Sequence, residues 1–377
     1  MKLRRLLFAF ISVLLCACGG SDPLQLPDPG PTTPVVPSDP YPPSVYKWGL
    51  KDLGRACGLK IGAEFTWSEY SDDSLRVVLK RDFDAVTFGN EMKHDGIVQA
   101  SGSMYFGRAD DMVGWTKECG AELFGHTLAW HAQQQTDYLN ALISGAPDDK
   151  TAAARVQDAY KAWVDAMVAH FDVYAWDVVN EMLNDDGSWR SAATTQAGFH
   201  VFLWGSYYPG GTKEFVDTAF HLAQEALKRE GKKADLYIND YNLEWSSNKL
   251  EAICKYAEGN PDVTGVGSQM HVSADMDRNA FRTMLERMVK TGKKVRISEL
   301  DVTTGNTSQA ETIVYIFSQY LTLVPEAQRG GITFWGVSDK HSWLGTSKEP
   351  LLYNGLYRRK DAYLRLHEYL LSRSGLE

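Results

Sequence analysis

Between residues 59 and 335, eight short apolar or β-branched runs alternate with longer stretches of helical periodicity. The strand-like runs are 59–64, 85–88, 123–126, 175–181, 235–239, 265–269, 295–299 and 331–335. The clearest helical patterns are 151–170, 213–230, 279–291 and 309–323. Strand then helix, repeated eight times over about 300 residues, is what a (β/α)8 TIM barrel requires, and it predicts an α/β fold with a single catalytic domain over 46–377. Helices on the outside leave the strands covered on both faces, which suits their apolar content. The chain shows no internal sequence repeat and no sign of a second domain.

The first 45 residues do not share this pattern. Residues 1–17 open Met-Lys-Leu-Arg-Arg and continue into an apolar run, the form of an export signal, and that run is too short to span a bilayer as a permanent helix. Leu15-Cys16-Ala17-Cys18 resembles the bacterial lipobox, which makes Cys18 the expected lipidated residue; cleavage as an ordinary signal peptide is the alternative. Residues 18–45 hold nine of the chain's 14 prolines, too few apolar residues for a core, and the composition of an extended spacer. The expectation is an exported protein, anchored by lipid to the bacterial outer membrane on its periplasmic or outer side. The lipid is then its one membrane contact.

A TIM barrel places its chemistry at the C-terminal ends of its strands. Polar and charged residues gather there: Asn90 and Lys93 after the second run, His126 at the third, Asn180-Glu181 at the fourth, Asn239-Asp240 at the fifth, Gln269 and His271 at the sixth, Glu299 and Asp301 at the seventh, and Trp335 at the eighth. Glu181 and Glu299 would face each other across one mouth, and paired carboxylates flanking a bond are the apparatus of glycoside hydrolysis. No G-x-S-x-G elbow, H-E-x-x-H helix or phosphate-cradling glycine loop competes with them. Each residue also has a structural reading. An Asn-Glu pair after a strand can cap a loop, and His126, His131 and His271 can be hydrogen-bonded core histidines. A metal site would call for a His-x-His or His/carboxylate spacing that the chain lacks. The net charge of −9 comes without a basic stripe, which argues against a nucleic-acid partner. With Cys16 and Cys18 assigned to processing, Cys57, Cys119 and Cys254 are an odd set, so buried thiols are expected over a disulfide framework.

The strand endings resemble the xylanases of glycoside hydrolase family 10. The motifs that carry the resemblance are Gly89-Asn90-Glu91-Met92-Lys93, Gly125-His126-Thr127-Leu128-Ala129-Trp130-His131-Ala132-Gln133, Trp176-Asp177-Val178-Val179-Asn180-Glu181 and Leu236-Tyr237-Ile238-Asn239-Asp240-Tyr241-Asn242. They continue with Gly267-Ser268-Gln269-Met270-His271, Ile297-Ser298-Glu299-Leu300-Asp301-Val302 and the stretch from Thr333 to Trp343. The resemblance implies retaining, endo-acting hydrolysis of β-1,4-xylan by a monomer without a cofactor. It implies Glu181 as acid/base and Glu299 as nucleophile, with Asn180 on the sugar's 2-hydroxyl and His271 holding the nucleophile beside Asp301 and Gln269. Asn90, Lys93, His126, Trp130, Gln133 and Trp335 would line the glycone side with Trp343 closing over them, and Tyr241 would serve the aglycone side. Another retaining β-glycanase of the same barrel clan, cellulase-like, and a non-catalytic glycan-binding lipoprotein are the rival readings.

Three positions depart from the family pattern. Gly89 stands where the family usually has a glutamate that contacts a glycone sugar, so weaker glycone binding, or room for a decorated or different sugar, is expected there. Glu91, two residues on, points another way and is no substitute. Gln134-Gln135-Thr136 replaces a Leu-Pro segment, and Leu344 follows Trp343 where an arginine is common; both are expected on rim loops.

Overall fold

The computed structural model describes residues 47–191 and 200–377. Cys18 and the proline-rich spacer lie outside them. Nine parallel strands follow in chain order: β1 (Ile61–Phe65), β2 (Ala85–Phe88), β3 (Glu122–Ala129), β4 (Ala175–Asn180), β5 (Asp235–Asp240), β6 (Gly265–Ser268), β7 (His271–Ser273), β8 (Lys294–Thr303) and β9 (Arg329–Phe334). Eight of them close a ring. Each of β1 to β5 pairs with the next, β6 pairs with β8 from Gly265 opposite Lys294, β8 pairs with β9, and β9 returns to β1 with Ile332 opposite Ile61. The expected eight-stranded barrel is present. The ninth strand was not anticipated: His271–Ser273 adds a short ladder to the far end of β8, from His271 opposite Asp301. That ladder explains why β8 runs on to Thr303, four residues past the expected end.

Several helices begin where a side chain satisfies one of their free N–H groups. Asp148 accepts from Thr151 N at 2.7 Å, which starts its helix at Asp149, two residues before the expected boundary. Asp277 accepts from Asn279 and Ala280 ahead of Arg278–Lys290, and Ser308 accepts from Glu311 ahead of Gln309–Leu323. Gly231, at φ 64°, ends Gly211–Glu230 in the left-handed conformation that glycine adopts without a Cβ penalty. Cys57, Cys119 and Cys254 are free thiols, the last two buried.

β1, β2, β4 and β6 are buried along their whole length. The barrel interior is nevertheless not all apolar. Arg296 is 1 % exposed, lies 3.5 Å over the Phe124 ring, and donates to Tyr174 Oη at 2.8 Å and Thr333 Oγ1 at 2.7 Å. A buried cation needs partners, so these hydroxyls and the ring face support the floor on which the site stands.

Candidate active site

One cleft of about 420 Å³ opens at the C-terminal ends of the strands. Every candidate residue of the barrel lines it except Asp301, which sits behind His271. Glu64, Thr66, Gly89, Asn242 and His341 line it as well.

β4 delivers two consecutive side chains, Asn180 and Glu181, to the same cleft. A regular strand would point them to opposite faces. Glu181 escapes the alternation by leaving the strand at φ 57°, in the left-handed region. Its N–H donates to Asn239 O at 3.0 Å and its carbonyl accepts from Arg190 Nε at 3.0 Å. Those two bonds hold a conformation that costs about 1–3 kcal/mol for a non-glycine residue, and the cost is incurred where the carboxyl must be aimed.

Three neutral donors converge on the Glu181 carboxylate. Gln269 Nε2 reaches Oε1 at 2.9 Å, Asn180 Nδ2 reaches the same oxygen at 3.3 Å, and Trp130 Nε1 reaches Oε2 at 2.8 Å. Burial raises its pKa, but the Gln269 bond, the His131 charge, the Trp130 bond and the Lys93 ammonium outweigh burial and hold it below the usual glutamate value. Burial also pushes His131 down to about 4, so its charge acts on Glu181 only in the acid range.

Glu299 is held differently. Asn239 Nδ2 donates to its Oε1 at 2.9 Å, and His271 Nε2 lies 3.3 Å from Oε2. His271 Nδ1 lies 2.8 Å from Asp301 Oδ2, which also accepts from Trp343 Nε1 at 2.8 Å. Burial opposes a charge on His271, but the two flanking carboxylates raise its pKa to about 10, so it is an imidazolium across the neutral range.

Asn239 links the two carboxyl groups. Its amide also donates to Asn180 Oδ1 at 2.9 Å, its own oxygen accepts from Ser298 Oγ at 2.6 Å, and Gln269 joins Asn180 to Glu181. A Cβ at Gly267 would come within 2.5 Å of Asn239 Oδ1, so glycine on β6 leaves that side chain its place. Asn239 stood at a strand end in the sequence without being singled out; its position beside Asp240 was the available signal.

Along the β2–β3 side, Lys93 Nζ donates to Gln133 Oε1 at 2.8 Å and lies 4.5 Å from the Trp130 ring centroid, while Gln133 Nε2 donates to Asn90 Oδ1 at 3.0 Å. Burial lowers the Lys93 pKa against the pull of Glu299, Glu181 and Glu64. His126 is braced by Asp177 at 2.9 Å; burial pushes the histidine down to about 3 and raises the aspartate to about 7, so His126 works as a neutral hydrogen-bonding group. On the opposite side the Tyr241 ring lies 3.5 Å from Lys249 Nζ, and its hydroxyl accepts from Arg190 Nη2 at 3.3 Å. Trp343 is 60 % exposed at the rim, edge-on to His271.

Two of the three sequence departures need correction. Gln134 is not a rim residue: it is buried, accepting from Trp204 Nε1 at 3.0 Å and donating to Ala132 O at 2.9 Å, so it braces the loop from within. The space beside Gly89 is not open, because Glu64 occupies it. Glu91 does turn away from the cleft, its carboxylate accepting from Trp67 N at 2.8 Å and Asn90 N at 3.3 Å.

The family model described as "Glycosyl hydrolase family 10" matches residues 49–369. Endo-1,4-beta-xylanase A of Cellvibrio japonicus is 30 % identical over 341 residues, covering 81 % of this chain and 53 % of the relative. Endo-1,4-beta-xylanase 3 of Hypocrea jecorina is 30 % identical over 293 residues, covering 76 % and 75 %. The crystal structure of xylanase 10B from Thermotoga petrophila in complex with xylobiose superposes with a TM-score of 0.71 at 28 % identity, covering 86 % of this chain and 98 % of that one. The chain spans about half the length of some curated relatives, and 31 % of endo-1,4-beta-xylanase Y of Acetivibrio thermocellus. The chain belongs to glycosyl hydrolase family 10.

Proposed function

We propose that this member of glycosyl hydrolase family 10 is a retaining, endo-acting β-1,4-xylanase that works by double displacement. The observation that carries the reading is the pair of buried carboxyls, Glu181 and Glu299, joined through Asn180, Asn239 and Gln269 in one cleft.

In the first step a Glu299 carboxylate oxygen attacks the anomeric carbon. The glycosidic C–O bond breaks, and Glu181 gives its proton to the departing oxygen. The imidazolium of His271 orients Glu299, and Asn180 meets the sugar's 2-hydroxyl. Esterifying Glu299 removes a like charge near Glu181, which lowers the pKa of Glu181 further and leaves it the carboxylate base that draws a proton from water. Water then displaces the ester, and the sugar leaves with its original anomeric configuration. The donors around Glu181 favour its ionised form, so in the free protein the acid role is lost as pH rises through a carboxyl held on the acidic side. Asn90, Lys93, His126, Gln133, Trp130 and Trp335, with Trp343 above them, serve the glycone, and Tyr241 the aglycone.

The protein is exported as a monomer and tethered through a lipidated Cys18, the spacer of residues 18–45 holding the barrel off the outer membrane. Support for this part is the sequence of the first 45 residues alone.

Soluble products from xylan, cellulose and mixed-linkage glucan test the activity. Release of xylo-oligosaccharides from xylan, first formed as the β-anomer by proton NMR, is expected. Equal or greater release from cellulose, or first-formed α-anomer, would overturn the reading.

A further inference from the structure

Glu64, the penultimate residue of β1, lines the cleft near Lys93, only 8 % exposed, yet its carboxyl makes no hydrogen bond with any described residue. Burial, with Glu69, Glu91 and Glu299 nearby, raises its pKa well above the usual glutamate value against the opposing charge of Lys93. A carboxyl set in a cleft wall without a protein partner leaves its hydrogen-bonding capacity to whatever enters the cleft.

The residue facing it is Gly89, at the end of β2. A Cβ on Gly89 would fall on Glu64 Oε1 and lie 2.9 Å from both Glu64 Cδ and Thr66 Cγ2. A side chain at position 89 would therefore displace the Glu64 carboxyl from the place it holds. Glu91 is committed to the Trp67 and Asn90 amides and is no alternative.

Resting on the cleft being the xylan site, we propose that Glu64 is the sugar-binding carboxyl of the glycone side, supplied from β1 in place of β2, with Gly89 the residue that makes room for it. A carboxyl offers two acceptor oxygens, one of them an O–H donor when protonated, which suits adjacent hydroxyls of a xylose ring. The missing glutamate at position 89 is then a relocation of the contact and not its loss.

The test compares wild type with Glu64→Ala, Glu64→Gln, Gly89→Glu and the double variant Glu64→Ala/Gly89→Glu, by steady-state kinetics on xylotetraose and by thermal melting. Calorimetric binding of xylotetraose to Glu64→Ala placed in a Glu299→Ala background separates affinity from turnover. Glu64→Ala is expected to raise KM and the dissociation constant about tenfold or more, with a smaller change in kcat. Glu64→Gln, which keeps a donor and an acceptor, is expected to stay nearer wild type, and the double variant to recover part of the loss of Glu64→Ala. Glu64→Ala is also expected to melt at or above the wild-type temperature, because it removes an unpartnered buried carboxyl. Binding within about twofold of wild type, a lowered melting temperature with no selective KM effect, or a double variant no better than Glu64→Ala would overturn the inference. Wild-type protein inactive on xylan would instead overturn the reading beneath it.

Discussion

The surroundings of the two central carboxyls differ in kind. Glu299 lies against a cation, His271, which is itself anchored by Asp301. Glu181 lies among neutral donors, Gln269, Asn180 and Trp130. A buried imidazolium gives its neighbour a charged partner at a fixed place, which aims the carboxyl. Neutral donors bias a carboxyl without locking it, so its proton can leave and return. On the proposed roles, the same fold separates an attacking group from a proton carrier by the company each keeps, in line with environment-set roles for paired carboxyls.

Removing the carboxyls gives the largest expected effects. Glu299→Ala is expected to lower kcat on xylan by about 10⁴-fold or more, whatever the leaving group. Glu181→Ala is expected to cost about 10²–10⁴-fold on xylan and far less on an aryl xyloside whose leaving group needs no proton. A Glu181→Ala loss independent of the leaving group would erase the distinction between the two sites.

Next comes the cation. The folded pKa of His271 is raised above its unfolded value, so its stabilisation is fully present below about pH 6.5 and is lost as pH rises through about 10. His271→Gln is therefore expected to melt well below wild type at pH 6, by about 3–5 kcal/mol, with the gap closing towards pH 10. A gap that widened with pH would contradict the charge assigned to His271.

The smallest effect sharpens the other side. Gln269→Ala or Trp130→Phe removes a donor that favours ionised Glu181, so the alkaline limb of kcat/KM is expected to move to higher pH. A shift to lower pH would mean that these donors do not set its proton affinity.

Much of this was legible in the chain. The alternation of runs gave the barrel, because burial on both faces and helical periodicity are local properties of the sequence. Strand endings located Asn180, Glu181, Gln269, His271 and Glu299, because the fold itself sends those ends to one mouth. What stayed hidden depends on distance between strands. Asn239 reads as one polar strand end among several until it is seen 2.9 Å from both Asn180 and Glu299. Arg296 sits in an apolar run whose hydroxyl partners come from other strands. Gln134 looked like a rim residue because nothing in its neighbours announces Trp204. Glu64, one residue inside β1, could not be matched to Gly89 without their shared space.

The account rests on which carboxyl attacks. A 2-deoxy-2-fluoro aryl β-xylobioside forms the glycosyl ester and slows its hydrolysis, so mass spectrometry of the peptides can read the labelled residue. One fluoroxylobiosyl group per chain, on the peptide carrying Glu299 and absent from Glu299→Ala, is the expected result. A label on Glu181, or inactivation without any covalent adduct, would contradict it.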